Sequence, residues 1–320
     1  MGISLQSKTV KNFGATVKGS LVVGDYIYVL SDYLYRCPID GDGVGTVETL
    51  VDIVEPTSID SDGVYLYISA ENRTKIFVVD INTFTVLNSF GEISIHTIKC
   101  DTMGFFHAIY NAGSTGARWR IYKYNADLNS LSKVYDRSGG IGGTRTLAIL
   151  GNKVMVGGGS VVGSATRLFS WDGTTVTELD SNTTKSSFIT NSNDSFFSVL
   201  NSSLRRYTLD EQDQLVIEWI LSIGDSRMLG ADGNYIYAPI LSSTELKVIT
   251  HEGSIVDTID LPDTFSISGE DAPNQVHCGN NRLYVANGTN LYVMRWSVNA
   301  QFTVDKTIGS APLTVNFVVV

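Results

Sequence analysis

One pattern recurs along this chain: a tight polar turn, then a short apolar run rich in aromatic residues. It reads "GDYIYVL" (24–30), "DGVYLYIS" (62–69), "MGFFHAI" (103–109), "GNKVMVG" (151–157), "NDSFFSVL" (193–200), "DGNYIYA" (232–238) and "NNRLYVA" (280–286). Taking Tyr28, Tyr67, His107, Met155, Phe197, Tyr237 and Tyr284 as equivalent anchors gives spacings of 39, 40, 48, 42, 40 and 47 residues. A repeat of this length is one supersecondary unit that cannot bury its apolar face alone and must stack on its neighbours.

Each unit carries three more strand-like runs. A short apolar run precedes the anchor ("SLVV", "TSI", "TIKC", "LAIL", "SFIT", "RML", "QVHC"), and a second alternating run follows it ("YLYRC", "KIFVV", "RIYKY", "RLFSW", "LRRYT", "LKVIT", "NLYVM"). After a polar turn comes an outer run, "TVETLV", "TVLNSF", "SLSKVY", "TVTELD", "LVIEWI" or "IVDTID", in the first six copies. Four strands in a meander, repeated seven times, predict an all-β fold: a seven-bladed β-propeller of four-stranded antiparallel blades.

The seventh copy lacks an outer run of its own. "KTVKNFG" (8–14) resembles the outer run "TVLNSFG" (85–91), so residues 1–14 are expected to close the last blade and zip the N-terminal strand to the C-terminal ones. The competing candidate is "FTVDKTI" (302–308), which would leave the N-terminus unused. The blades then occupy residues 15–298, and 299–320 form a linker and the beginning of something else.

Two resemblances bear on this division. The units resemble the YVTN type of β-propeller repeat found in surface-layer and other extracellular proteins, copy two ("LYISAENRTKIFVVDINTFTVLNSFG") most of all. The segment "AQFTVDKTIGSAPLTVNFV" (300–318) resembles the opening of a PKD-type domain, an immunoglobulin-like sandwich, through Gly309, Ala311, Pro312, Leu313, Val315 and Phe317. A whole sandwich needs many more residues than the 22 from 299 to 320, so that domain is expected to be incomplete here. Together they imply a module displayed on a cell envelope or particle surface.

Charge narrows the partners. With 23 basic and 33 acidic side chains the net charge is −10, spread without blocks, which argues against nucleic acid and anionic lipid. No run approaches the roughly 20 apolar residues of a membrane-crossing helix, and "MGISLQSKTVKNFG" has no apolar leader core. Extracellular, cell-surface and virion settings, the last reached without a leader, stay open. Cys37, Cys100 and Cys278 are too few and too scattered for a disulfide framework.

Chemistry is sparse. The sequence contains no His-Glu-x-x-His, no Cys-x-x-Cys, no phosphate loop and no Gly-x-Ser-x-Gly turn. No cofactor is expected. His96, His107, His251 and His277 lie in different copies, and His107 stands at an anchor, where a core role is expected. The segment "DGDGVGTVE" (40–48) offers Asp40, Asp42 and Glu48 as a weak calcium candidate, against a Gly-rich hairpin turn, since Val44 and Val51 replace two required ligands. Sequons begin at Asn72, Asn182, Asn193, Asn201 and Asn287.

The longest connections are 111–119, 137–145, 157–167 and 261–275, and strand alternation opens all four on one face. Long loops on a rigid scaffold are where binding resides. Arg118, Trp119, Arg137, Arg145, Arg167 and Arg227 would supply planar donors and an aromatic face, with Glu270 and Asp271 across the ring. The function expected from this is non-enzymatic recognition of a cell-surface glycan or protein, or of other structural proteins of the same particle. Two alternatives stand beside it. One is a propeller lyase or glycosidase, which would need two carboxylates roughly 5–10 Å apart from among Glu92, Asp225, Glu270 and Asp271. The other is a scaffold that assembles with copies of itself.

Overall fold

The computed structural model describes residues 3–41, 43–92, 94–111, 117–138, 146–157, 166–182, 188–200, 202–226, 228–265 and 275–298. The described residues form strands and turns and contain no α-helix. After β1 (Ile3–Asn12), blade 1 comprises β2 (Gly19–Val23), β3 (Tyr26–Leu30), β4 (Tyr33–Asp40), the two-residue β5 (Gly43–Val44) and β6 (Glu48–Val54). Blade 2 is β7 (Ser58–Ser61), β8 (Tyr65–Ala70), β9 (Lys75–Asp80) and β10 (Thr85–Gly91), and blade 3 is β11 (Ile95–Cys100), β12 (Phe106–Asn111), β13 (Ala117–Asn125) and β14 (Ser130–Ser138). Blade 4 is β15 (Leu147–Leu150), β16 (Lys153–Val156), β17 (Thr166–Trp171) and β18 (Val176–Asn182). Blade 5 is β19 (Phe188–Ser192), β20 (Ser195–Leu200), β21 (Ser203–Leu209) and β22 (Leu215–Ser222). Blade 6 is β23 (Gly230–Ala231), β24 (Tyr235–Pro239), β25 (Glu245–Thr250) and β26 (Ile255–Asp260), and blade 7 is β27 (Val276–Gly279), β28 (Arg282–Asn287) and β29 (Asn290–Val298).

The ring is complete. β1 pairs antiparallel with β29 from Ile3↔Val298 to Asn12↔Asn290, so the N-terminal strand is the outer strand of blade 7. The rival segment 302–308 lies outside the described residues, as does the PKD-like tail. On the inside, β2, β7, β11, β15, β19, β23 and β27 each touch the next, and β27 touches β2.

The core follows from that geometry. It consists of seven apolar clusters, one between each pair of adjacent blades. Alternate residues of one strand therefore serve two interfaces: in β8, Leu66 and Ile68 face blade 1, whereas Tyr67 faces blade 3. This is why the second strands read as nearly continuous apolar runs rather than clean alternation. All seven anchors are buried, none more than 1% exposed. Three are also tied to the preceding turn. Tyr67 and Tyr237 donate hydroxyl hydrogen bonds of 2.7 Å to Asp62 and Asp232, and His107 Nε2 lies 3.1 Å from Asp101 Oδ2.

One inner strand departs from expectation. In blade 6 it is not "RML" but Gly230–Ala231, just beyond it. A Cβ on Gly230 would sit 2.4 Å from Val276 Cγ1, so the backbone of blade 6 approaches blade 7 at a point only glycine allows.

Candidate functional site: an arginine rim and a central cavity

Successive antiparallel strands put the β12–β13 and β16–β17 connections and the links between blades on one face. Residues 112–116, 139–145, 158–165 and 266–274, which make up most of the four long connections, lie outside the described residues; so do Arg145, Arg227, Glu270 and Asp271. The strand ends that lead into these connections are among the described residues. Arg118 is the second residue of β13, Arg137 the second-last of β14, and Arg167 the second of β17.

Two of these arginines share one carboxylate. Arg137 Nη2 is 2.8 Å from Glu178 Oε2, Arg167 bonds the other oxygen of Glu178, and the Arg137 guanidinium also lies over the Phe169 ring at 4.9 Å. Burial works to raise the Glu178 carboxyl, but the two guanidinium groups outweigh it and hold it below the usual carboxylate range.

Trp119 corrects an expectation. It is fully buried in the cluster between blades 3 and 4, stacked on His107 at 5.7 Å and tilted against Phe169 at 4.9 Å, so it offers no exposed aromatic face. The strand β13 begins at Ala117, and in Ala-Arg-Trp-Arg-Ile-Tyr every second residue faces the core. The alternation in the sequence is that of a half-buried strand starting at Ala117 rather than a loop running to Trp119.

The remaining candidates take structural parts. His107 is core, as expected; burial depresses its imidazole, and the Asp101 carboxylate opposes this only in part. Burial also works to raise Asp101, yet its hydrogen bonds from His107 and from the Phe105 and Met103 amides hold it low. Trp171 Nε1 donates to the same carboxylate at 3.0 Å. Glu92 is engaged by Arg120 and by the Tyr122 hydroxyl, each at 2.6 Å, in a network the sequence did not reveal. Glu48 pairs with Arg36 at 2.6 Å, and Asp40 pairs with Gly43 in the tight β4–β5 hairpin, the turn anticipated as the rival to a calcium loop; Asp42 lies outside the described residues. Among the described residues no three His, Cys, Asp or Glu side chains are grouped to hold a metal. Of the sequons, Asn72 is exposed, whereas Asn287 is fully buried and donates to the Asp263 carbonyl.

The second site is on the ring axis. Strand register places one inner-strand residue opposite each anchor: Leu21, Asp60, Lys99, Ala148, Thr190, Gly230 and His277. The last five line a cavity of about 190 Å³. Ala148 and Gly230 are small, which leaves the space. Lys99 Nζ stands 3.9 Å from Asp60, beyond hydrogen-bonding distance. Asp60 is already served by the Ser61 and Cys100 amides at 3.0 and 2.9 Å.

Across the axis, burial and then the Lys99 charge press the His277 imidazole down to about 3, so it is neutral at pH 7. Blades 3 and 7 are not neighbours, so this influence crosses the channel. Burial pushes the Cys100 and Cys278 thiols well up and Cys37 up to about 11, which makes all three poor nucleophiles. No Asp or Glu is among the described cavity-lining residues, so the two-carboxylate geometry of glycoside cleavage is not assembled by them.

Sequence signal for this ring existed. Six of its members stand seven residues before their anchor, and Lys99 stands eight before His107 because the β11–β12 turn is longer.

Neither a family model nor a curated protein matches this chain. Solved structures do. The β-propeller domain of Cps50 (Swd1) from Myceliophteria thermophila is similar at a TM-score of 0.67 with 13% identity, over 93% of this chain and 100% of that one. The WD40 repeats of RRP9 give a TM-score of 0.68 at 10% identity over 92% and 100% of the two chains. For the WD40 β-propeller domain of Doa1 the values are 0.65 and 14%, over 92% and 96%. At these identities the likeness is one of fold.

Proposed function

We propose that this protein is a non-enzymatic recognition module that binds a protein partner through the face onto which its long connections open. The observation that carries this reading is the gathering of Arg118, Arg137 and Arg167 at the strand ends of blades 3 and 4, with Arg137 and Arg167 converging on Glu178. Arg137 and Arg167 share the Glu178 carboxylate and Arg118 acts on Asp136 at the neighbouring strand end, so this rim is rich in planar guanidinium groups, which suit a partner that presents carboxylates. A closed ring of seven interblade cores gives those side chains a rigid base, which lowers the entropic cost of binding. WD40 propellers, the fold neighbours of this chain, support a protein rather than a small substrate as the ligand.

A glycan partner is the second reading. It loses its stacking platform because Trp119 is in the core. The resemblance of the repeats to the YVTN type supports display on a cell envelope or virus particle as the setting, and the PKD-like residues 299–320 point the same way.

The test uses labelled protein on a panel of intact microbial cells, beside the triple variant Arg118→Ala, Arg137→Ala, Arg167→Ala. Saturable binding that disappears in the variant and on protease-treated cells supports a protein partner on this face. Binding that survives protease but not glycosidase treatment assigns a glycan. Equal binding by both proteins, or none by either, overturns the reading.

A further inference from the structure

We propose that the central cavity is a binding site for a small oxyanion, held between the Lys99 ammonium of blade 3 and the His277 imidazole of blade 7. The reading is independent of the outer-face function above and rests on different residues.

Charge comes first. Lys99 is the one ammonium among the described lining residues, and no carboxylate lines the cavity with it. Its neighbour Asp60 sits outside the cavity wall, 3.9 Å away, with its two oxygens already accepting backbone amides. The ammonium is therefore attracted to Asp60 at a distance beyond a hydrogen bond, while its side chain lines the cavity. In a channel walled by low-dielectric strands, one such cation raises the local concentration of anions even on a chain of net charge −10.

Donor type comes second. His277 is neutral, so one ring nitrogen carries a hydrogen it can donate. Thr190 and Asn191 of blade 5 add a hydroxyl and an amide to the lining. A lining that offers ammonium, imidazole, hydroxyl and amide donors suits a group with several oxygens around a single centre.

Size comes third. At about 190 Å³ the cavity is smaller than the roughly 300–1,000 Å³ of sites for drug-sized ligands, so its occupant is a small species such as phosphate, sulfate or a short carboxylate. The space exists because Ala148 and Gly230 occupy ring positions that a larger residue such as Leu21 fills on the opposite side. At Gly230 the reason is the close approach to Val276, which fixes the absence of a side chain there.

Isothermal titration of the full chain at pH 7.5 and constant ionic strength, with sulfate, phosphate, acetate and chloride, tests the assignment. The expected result is saturable one-to-one binding of at least one oxyanion and none of chloride, weakened about tenfold or more in Lys99→Met through loss of a charge-assisted contact. Preference for the tetrahedral anions or for acetate sorts inorganic from carboxylate ligands, and either supports the site. A melting temperature close to the parent's shows that Lys99→Met is folded. Should that variant fail to fold, the imidazole resonances of His277 in the unaltered protein give the second readout and are expected to shift saturably with the same anion. No saturable heat with any oxyanion, parent-like affinity in a folded Lys99→Met, or binding that leaves the His277 resonances unmoved would each overturn the proposal.

Discussion

Blades 2 and 7 share one strand order, but blade 2 is continuous in sequence while blade 7 joins segments 278 positions apart. In blade 2 the outer strand β10 follows β9 after a short turn and makes six register pairs, from Thr85↔Asp80 to Gly91↔Lys75. In blade 7 the outer strand β1 makes nine with β29. Closing a flexible loop of 278 residues instead of one of five costs about 3–4 kcal/mol more in chain entropy. The longer ladder offsets that cost. So do local contacts: Asn12 reaches the Thr289 and Asn290 side chains at 2.8 Å, and Lys8 lies over the Tyr292 ring at 5.0 Å. A strand delivered from far away needs more of its own adhesion than one held by a turn.

The largest test of this contrast removes residues 1–12. Blade 7 then loses its outer strand, and the melting temperature followed by circular dichroism is expected to fall on the order of 10 °C or more. A synthetic peptide of residues 3–12 added in trans should restore part of the loss. An unchanged melting temperature would mean that β1 contributes nothing to closure.

Covalent proximity is the next lever. Moving residues 3–12 to follow Val298 through a short turn makes blade 7 continuous like blade 2, and up to about 3–4 kcal/mol of stability should be gained in urea unfolding. No gain would show that the ring, once six blades are formed, holds its ends together without further entropic cost.

Acid should separate the blades as well. The folded-state pKa of His277 is depressed to about 3 against 6.5, so the unfolded chain binds the extra proton between those values. Stability then falls as pH drops below 6.5, by up to about 1.4 kcal/mol per unit, and is unaffected above it. Asp263 adds a second, lower window. Hydrogen bonds from Tyr292 and Asn290, and the charge of Lys8, hold its carboxyl below 3.8, so its contribution is present above about 4 and lost further down. Hydrogen exchange should therefore report peptides of β27 and β28 loosening before those of β7 and β8, and His277→Leu should flatten the upper window.

The smallest effect concerns two hydroxyls. Tyr67 and Tyr292 each donate at 2.7 Å to an aspartate Oδ2, but Asn290 also serves that oxygen of Asp263, at 2.9 Å, whereas the Val64 and Tyr65 amides bond only the other oxygen of Asp62. Tyr67→Phe should cost about 1.5 kcal/mol in urea unfolding, and Tyr292→Phe less, because the second donor remains. Equal losses would mean that the neighbouring amide does not compensate.

The repeat carried most of the architecture because burial on both faces of a blade writes itself as apolar runs, and the seven anchors followed from it. The opening "KTVKNFG" located ring closure by likeness to "TVLNSFG" alone, since edge pairing depends on backbone and on a repeated outer-strand pattern. What the sequence obscured were side chains whose role depends on a neighbouring blade. Trp119 read as a loop residue next to a Gly-rich stretch, whereas the pocket formed by His107, Tyr135 and Phe169 draws it inward. Glu92 looked like a spare carboxylate until Arg120 and Tyr122 met it. Lys99, Ala148, Gly230 and His277 are unremarkable one at a time and define a cavity only when the register sets them level.

The pairing of β1 with β29 also sets an order of events during synthesis. The strand that finishes the last blade is made first, and its partner follows 278 positions later. At the usual 5–20 residues per second, β1 waits roughly a quarter of a minute to a minute with its edge unpaired. Six blades can pack on one another during that interval, but the ring cannot shut. The nascent chain must therefore keep Ile3–Asn12 from pairing with any other exposed strand edge, its own or a neighbour's, until β29 arrives.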